Sequence, residues 1–201
     1  MDLPVINKAI GGRSARSYTV EGRFQDVSKL GSAGDWVVIE FGHNDGGSLN
    51  SDNGRSDCPK DPTGVCTGAN GATVQTFTTY MSNAGNMFSK KGMHVIISSQ
   101  TPNNPWETGS FVNAPSRFVD LAKKVAGLVE GAVFIDHFAY VNKEYQAHYN
   151  PNTIKDLFAG DHTHTNAKGA KVVAKAFSKG VACAKTPLTE HVRKGAGITC
   201  S

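Results

Sequence analysis

The run WVVIEF (36–41) decides how the fold is read. It is short, nearly continuous in apolar residues and β-branched at its centre. A strand covered on both faces of a parallel sheet has this pattern, because neither face must satisfy water. HVIISS (94–99) and AVFID (132–136) repeat it. Between these runs the apolar residues change to helical spacing. Phe77, Tyr80, Met81, Ala84, Met87 and Phe88 share one face, as do Phe118, Leu121, Ala122, Val125, Leu128 and Val129. Crossovers of this kind require parallel strands with helices on both faces. The predicted class is α/β: a three-layer α/β/α sandwich on a parallel sheet, one domain over 1–201.

Working outward, PVINKAI (4–10) has strand character and runs into Gly11 and Gly12. Val20, Phe24, Val27 and Leu30 predict one helical face, stopped by Gly31 and Gly34. Residues 42–72 read as a long polar loop, and QTPNNPWETG (100–109) as a Pro-rich one. A helical stretch is expected over 138–148. The last helix is expected to begin near Thr165 as N-cap, with Ala170, Val173, Ala174, Phe177 and Val181 on its apolar side. In open α/β sheets a site lies beyond the carboxyl ends of the strands. The segments to inspect are therefore GGRSARS (11–17), GHNDGG (42–47), SQTPNNPW (99–106) and DHTH (161–164).

Composition excludes several classes. The chain has 201 residues, 39% hydrophobic and 19% charged, which suits a single globular core. No run approaches the ~20 apolar residues of a membrane span, so no membrane partner is expected. The net charge of +4 is mild, and no Lys/Arg block with interleaved aromatics appears, so no nucleic-acid partner is expected either. Cys58, Cys66, Cys183 and Cys200 form no C-x-x-C pair, which argues against a zinc knuckle. They fall as two close pairs and are read as local disulfides Cys58–Cys66 and Cys183–Cys200, the alternative being four free buried thiols. Disulfides imply an extracellular destination. Yet Met1-Asp2-Leu3-Pro4 has neither the basic end nor the apolar stretch of a signal peptide.

At the strand ends, Gly12 offers a backbone N–H without a side chain in the way, and Asn44 offers a side-chain N–H beside a rigid strand. Together they suit an oxyanion hole. Read singly, Gly12 is also a plain turn and Asn44 an Asx-turn residue. Asp161 and His164 are three apart, so the carboxylate can fold back onto Nδ1–H and leave Nε2 as a base. Competing readings are a metal site of Asp161, His162 and His164, with His43 as a further ligand, or loop histidines without a role. No second cluster of carboxylates or cysteines supports the metal, so none is expected.

Four stretches, taken in order, carry a resemblance. GGRSARSYTVEGRF (11–24), VVIEFGHNDGGSLNSDNGR (37–55), SSQTPNNPWETGSF (98–111) and FAGDHTHTNAKGA (158–170) resemble the SGNH (GDSL-type) hydrolases, most closely the fungal rhamnogalacturonan acetylesterases. The resemblance implies a secreted, monomeric esterase without cofactor, acting on acetylated pectic polysaccharide by a Ser-His-Asp mechanism. The family's oxyanion-hole Gly and Asn match Gly12 and Asn44. Its catalytic Asp and His match Asp161 and His164, and its two disulfides match the pairs proposed above.

The family's nucleophile is the Ser of a G-D-S block after its first strand, and this sequence has no such block. It begins at what would be the family's second strand. A strand, a turn and a helix, about 30 residues as in a βα unit, are therefore expected to be missing. Ser14, Ser17, Ser98 and Ser99 sit in no G-x-S-x-G elbow, so none replaces the nucleophile. A fragment or wrongly started gene model, inactive as it stands, is the expected explanation. The alternative is a short protein that binds pectic carbohydrate without hydrolysing it.

Overall fold

The computed structural model describes residues 3–192 and 200. The chain separates into two compact units. The first comprises Val5–Gln100 and Arg117–Phe134; the second comprises Thr101–Ser116 and Ile135–Ser201, with the extreme N-terminus.

In the first unit, helices α1 (Ala15–Val20) and α2 (Arg23–Leu30) precede strand β1 (Trp36–Glu40). A short antiparallel pair follows, β2 (Val65–Thr67) and β3 (Thr73–Gln75), then α3 (Phe77–Lys90), β4 (His94–Ser98) and α4 (Arg117–Leu128). Strand β1 runs parallel to β4, with Trp36 opposite His94 and Glu40 opposite Ser98. With β5 (Val133–Ile135) the sheet order is β1-β4-β5. This is the α/β class with a parallel sheet that the three apolar runs predict.

The core of this unit lies between strands and helices. Val37, Ile39, Val95 and Ile97 point into the cluster formed by Phe77, Met81, Phe88, Phe118 and Val125. Burying each of these large side chains contributes roughly 1.5–3 kcal/mol. Tyr18 and Phe24 stack edge-on at 4.8 Å, and Phe41 lies 5.3 Å from Tyr18 and 5.7 Å from Phe24. These rings tie α1 and α2 to the end of β1, which sets the glycine-rich turn beside the loop after that strand.

Four expectations for this unit need correction. PVINKAI (4–10) forms no strand, and Val5 and Ile6 are 82% and 71% exposed. An extended run becomes a strand only when a ladder partner takes its backbone groups. The helix expected over Val20–Leu30 is broken by Gly22 in the left-handed region (φ 71°), so only Phe24 and Val27 of that stripe reach the core. Strand β1 is not covered on both faces: its burial alternates, with Val37 and Ile39 turned inward and Val38 46% exposed on the other face. The polar loop at 42–72 contains a 3₁₀ turn (Leu49–Ser51) and β2, and Cys58–Cys66 is bonded there as expected.

In the second unit, α5 (His137–His148) packs against α6 (Ala167–Cys183) over Val141, Tyr145, Ile154, Leu157, Phe158 and Ala176. The N-cap of α6 is Asn166, not Thr165; its carboxamide oxygen accepts the N–H groups of Lys168 and Gly169. Thr165 instead pairs with Phe158 in an antiparallel bridge. The buried side of α6 also differs from the expected stripe. It runs through Gly169, Ala176, Gly180 and Val181, with Val173 and Phe177 half-buried; of the expected stripe only Ala170 and Ala174 are exposed. A Cβ on Gly169 would lie 2.2 Å from the Leu157 carbonyl oxygen, and one on Gly180 would lie 2.7 Å from Ile135 Cγ2. Glycine lets the backbone itself approach at these points, and a count of apolar side chains gives it no weight. Cys183 is bonded to Cys200 as expected; residues 193–199 of that loop lie outside the described residues.

Candidate active site

The two groups of expected site residues belong to different units. Gly12 and Asn44 are in the first; Asp161 and His164 are in the second.

In the second unit, the Phe158–Thr165 bridge closes a short loop, reinforced by Ala159 N–H donating to the His164 carbonyl at 2.8 Å. At its tip Asp161 organises the turn. Its Oδ1 accepts the backbone N–H groups of Thr163 and His164, each at 2.7 Å, and Oδ2 lies 2.7 Å from His164 Nδ1. These bonds, the His164 backbone N–H first and its ring second, hold the Asp161 carboxyl well below the usual carboxylate range. An ionised carboxylate only accepts, so Nδ1 must carry the imidazole proton and Nε2 the lone pair. The pair is open to solvent: the side chains of His164 and Asp161 are 78% and 51% exposed. This is the geometry of an oriented general base.

His162 is turned to a different task. Its Nδ1 lies 3.0 Å from each carboxylate oxygen of Glu107, and its carbonyl accepts the Asn104 N–H at 2.7 Å. Thr163 Oγ1 donates to Asn103 Oδ1 at 3.0 Å. These three links fasten the 161–164 loop to the 103–107 loop within the same unit. No group of three His, Cys, Asp or Glu suited to a metal ion occurs among the described residues. Beside these links a cavity of about 240 Å³ is lined by Asn103, Asn104, Pro105, Glu107 and Phe138.

In the first unit, Gly12 sits in a turn at φ 74°, a conformation that favours glycine. Ser14 follows as the N-cap of α1. Its hydroxyl accepts Ser17 N–H, and the residue is fully buried, so it is committed to the helix end. Ser98 is likewise buried and donates to Glu40 at 2.6 Å. Asn44 Oδ1 accepts from the Arg55 guanidinium at 3.1 Å.

Asp45, to which sequence reading gave no role, links the two segments in which the oxyanion donors are expected. Its Oδ1 accepts Ala15 N–H at 2.7 Å and its Oδ2 accepts Gly42 N–H at 2.9 Å. One 1%-exposed carboxyl thus fastens the turn carrying Gly12 to the loop carrying Asn44. Burial pushes its pKa up to about 7, against the lowering effect of those two N–H groups. A charged residue directly after Asn44, at the end of a strand, was the available signal. A second tie comes from Arg16, whose guanidinium meets both oxygens of Asp52 at 2.8 Å, with side chains only 5% and 0% exposed. Nothing in the spacing announces Arg55 or Glu107; both arrive through long loops.

Comparison with known proteins shows the family. The family described as GDSL-like Lipase/Acylhydrolase matches residues 1–177. Over 193 residues the chain is 51% identical to the rhamnogalacturonan acetylesterase of Emericella nidulans, covering 94% of this chain and 78% of that protein. It is 27% identical to a probable rhamnogalacturonan acetylesterase of Bacillus subtilis, YesY, over 96% of this chain and 82% of that protein. A crystal structure of an acetylxylan esterase from Geobacillus stearothermophilus, a catalytic mutant of Axe2, is alike in fold. Its TM-score is 0.60 at 15% identity, covering 88% of this chain and 71% of that chain. The chain belongs to the GDSL-like lipase/acylhydrolase family.

Proposed function

We propose that the protein is a carbohydrate O-acetylesterase in which His164 is the general base, Asp161 its orienting carboxylate, and Gly12 N–H and Asn44 Nδ2 the oxyanion donors. The observation that carries this reading is the 2.7 Å contact between His164 Nδ1 and Asp161 Oδ2, which leaves Nε2 able to take a proton. In the Ser-His-Asp mechanism that the family resemblance implies, the hydroxyl of a G-D-S serine, a block that these 201 residues do not contain, adds to the acetyl carbonyl carbon and gives its proton to Nε2. The tetrahedral oxyanion collapses, and the sugar hydroxyl departs with that proton. Water, deprotonated in turn by Nε2, then hydrolyses the acyl-enzyme and releases acetate. Each oxyanion donor contributes about 2.7–4 kcal/mol to the barrier reduction. Membership of the family and 51% identity to a rhamnogalacturonan acetylesterase support acetylated pectic rhamnogalacturonan as substrate. Two disulfides support an extracellular setting. Among the described residues no helix is long and apolar enough to cross a membrane.

The test is acetate release from acetylated rhamnogalacturonan by the protein expressed with its native flanking sequence. His164→Ala should lower the rate by 10³-fold or more on the order expected for loss of a triad member. An undiminished rate would remove His164 from the mechanism.

A further inference from the structure

We infer that Arg55 is a positioning residue for the oxyanion hole, acting by holding the Asn44 carboxamide in its donating orientation; this rests on the oxyanion role proposed above for Asn44. A carboxamide can present either its oxygen or its N–H groups to a reacting centre, and only the N–H face stabilises an anion. The structure contains a device that selects one face. Arg55 Nη1 donates to Asn44 Oδ1 at 3.1 Å and lies 3.5 Å from the Gly12 carbonyl oxygen. A guanidinium has no acceptor, so Arg55 tolerates only the oxygen of Asn44 on its side. Nδ2 is thereby turned away from Arg55. The cationic bond to Oδ1 also withdraws electrons from the amide and strengthens its N–H as a donor. Because the same nitrogen approaches the Gly12 carbonyl, one cation spans both oxyanion segments.

Arg55 is not a wandering surface side chain. Its own N–H is held by Asn53 Oδ1 at 3.0 Å, and Gly54 N–H by Asp52 Oδ1 at 2.9 Å. Asp52 is gripped by Arg16 with two bonds, and Arg16 Nη1 also donates to the Ser56 carbonyl at 3.0 Å. The 52–56 loop is thus anchored on both sides of Arg55. A cavity of about 450 Å³ opens beside it, lined by Gly12, Arg13, Ser17, Asn53 and Arg55.

The experiment measures kcat and KM for p-nitrophenyl acetate with the full-length protein, its Arg55→Ala, Arg55→Lys and Asn44→Ala variants, and the Arg55→Ala/Asn44→Ala double variant. A misaligned donor forfeits part of its ~10²–10³-fold effect, so Arg55→Ala should lower kcat roughly 10–100-fold with KM nearly unchanged. Arg55→Lys, which keeps one cationic donor, should recover part of the loss. In the double variant, Arg55→Ala should add almost nothing to Asn44→Ala, because the residue it positions is gone. Should Arg55→Ala not fold, Arg55→Lys and its double variant with Asn44→Ala carry the same comparison. Losses that multiply in the double variant, or a normal kcat in Arg55→Ala while Asn44→Ala falls, would overturn the inference and leave the esterase reading standing. A normal kcat in Asn44→Ala would overturn the oxyanion role proposed for Asn44, and the inference with it, while the esterase reading stood.

Discussion

His164 closes onto Asp161 twice, through its backbone N–H on Oδ1 and its ring Nδ1 on Oδ2, both at 2.7 Å. The same carboxylate therefore shapes the turn and sets the tautomer. Asp161→Asn separates these tasks. Its Oδ1 can still accept the two backbone N–H groups, but its Nδ2 now donates toward Nδ1. The ring must then place its proton on Nε2, and the base is lost. The expected result is a fall in kcat of about 10³–10⁴-fold with an unchanged melting transition. Matched activity and calorimetric measurements on the variant check it. Because its hydrogen bonds hold Asp161 below the usual carboxylate range, acidifying the wild type to pH 4 leaves this carboxylate ionised.

Asp45 gives stability a pH dependence of definite sign. Its folded pKa of about 7 exceeds the ordinary 3.8, so between these values the native state holds a proton that the unfolded chain has released. Stability from this group is full below pH ~4 and is lost as pH rises through 7. The steepest slope is about 1.4 kcal/mol per pH unit, or ~3–6 °C in Tm. Thermal melts from pH 4.5 to 8 should show the decline, and Asp45→Asn should flatten it. An unchanged slope in the variant would remove Asp45 as the source.

Two glycines in helices should respond with opposite sign to alanine. At Gly169 a Cβ meets the Leu157 carbonyl oxygen at 2.2 Å, and a backbone atom cannot yield cheaply. Overpacking of ~1–3 kcal/mol outweighs the ~1 kcal/mol that alanine gains in a helix, so Gly169→Ala should lower stability. It should also lower kcat, because Leu157 leads into the loop that carries Asp161. Gly127 of α4 has nothing within 4 Å of its Cβ position, and Gly127→Ala should raise stability by up to ~1 kcal/mol. Urea midpoints of the two variants make the comparison.

Cys58 is fully buried and bonded to Cys66 eight residues away. Restricting that short loop in the unfolded chain is worth roughly 2–3 kcal/mol. Cys58→Ala/Cys66→Ala should lose about that amount in denaturant unfolding. The loss should fall on stability before activity, since neither sulfur touches the proposed site residues.

Local patterns in the chain were enough for the α/β class, the strands WVVIEF and HVIISS of a parallel sheet, both disulfides and the Asp161–His164 pair. Each depends on residues that are neighbours in sequence or on a periodicity that burial imposes along one element. The departures arise where distance along the chain says nothing about distance in space. Val38 is exposed because its face of β1 is left open, and what packs over a face is not encoded in the strand's own residues. The buried side of α6 runs through Gly169 and Gly180 because Leu157 and Ile135 press against it, and glycine carries no apolar signal. Arg55 reaches Asn44 across eleven residues of loop, and Glu107 reaches His162 across fifty-five. The sequence by itself determined the family and named the residues that the proposed chemistry uses. Only the tertiary structure decided which polar partners aim that chemistry, because a hydrogen bond is fixed by angstroms and no spacing rule spans a folded loop.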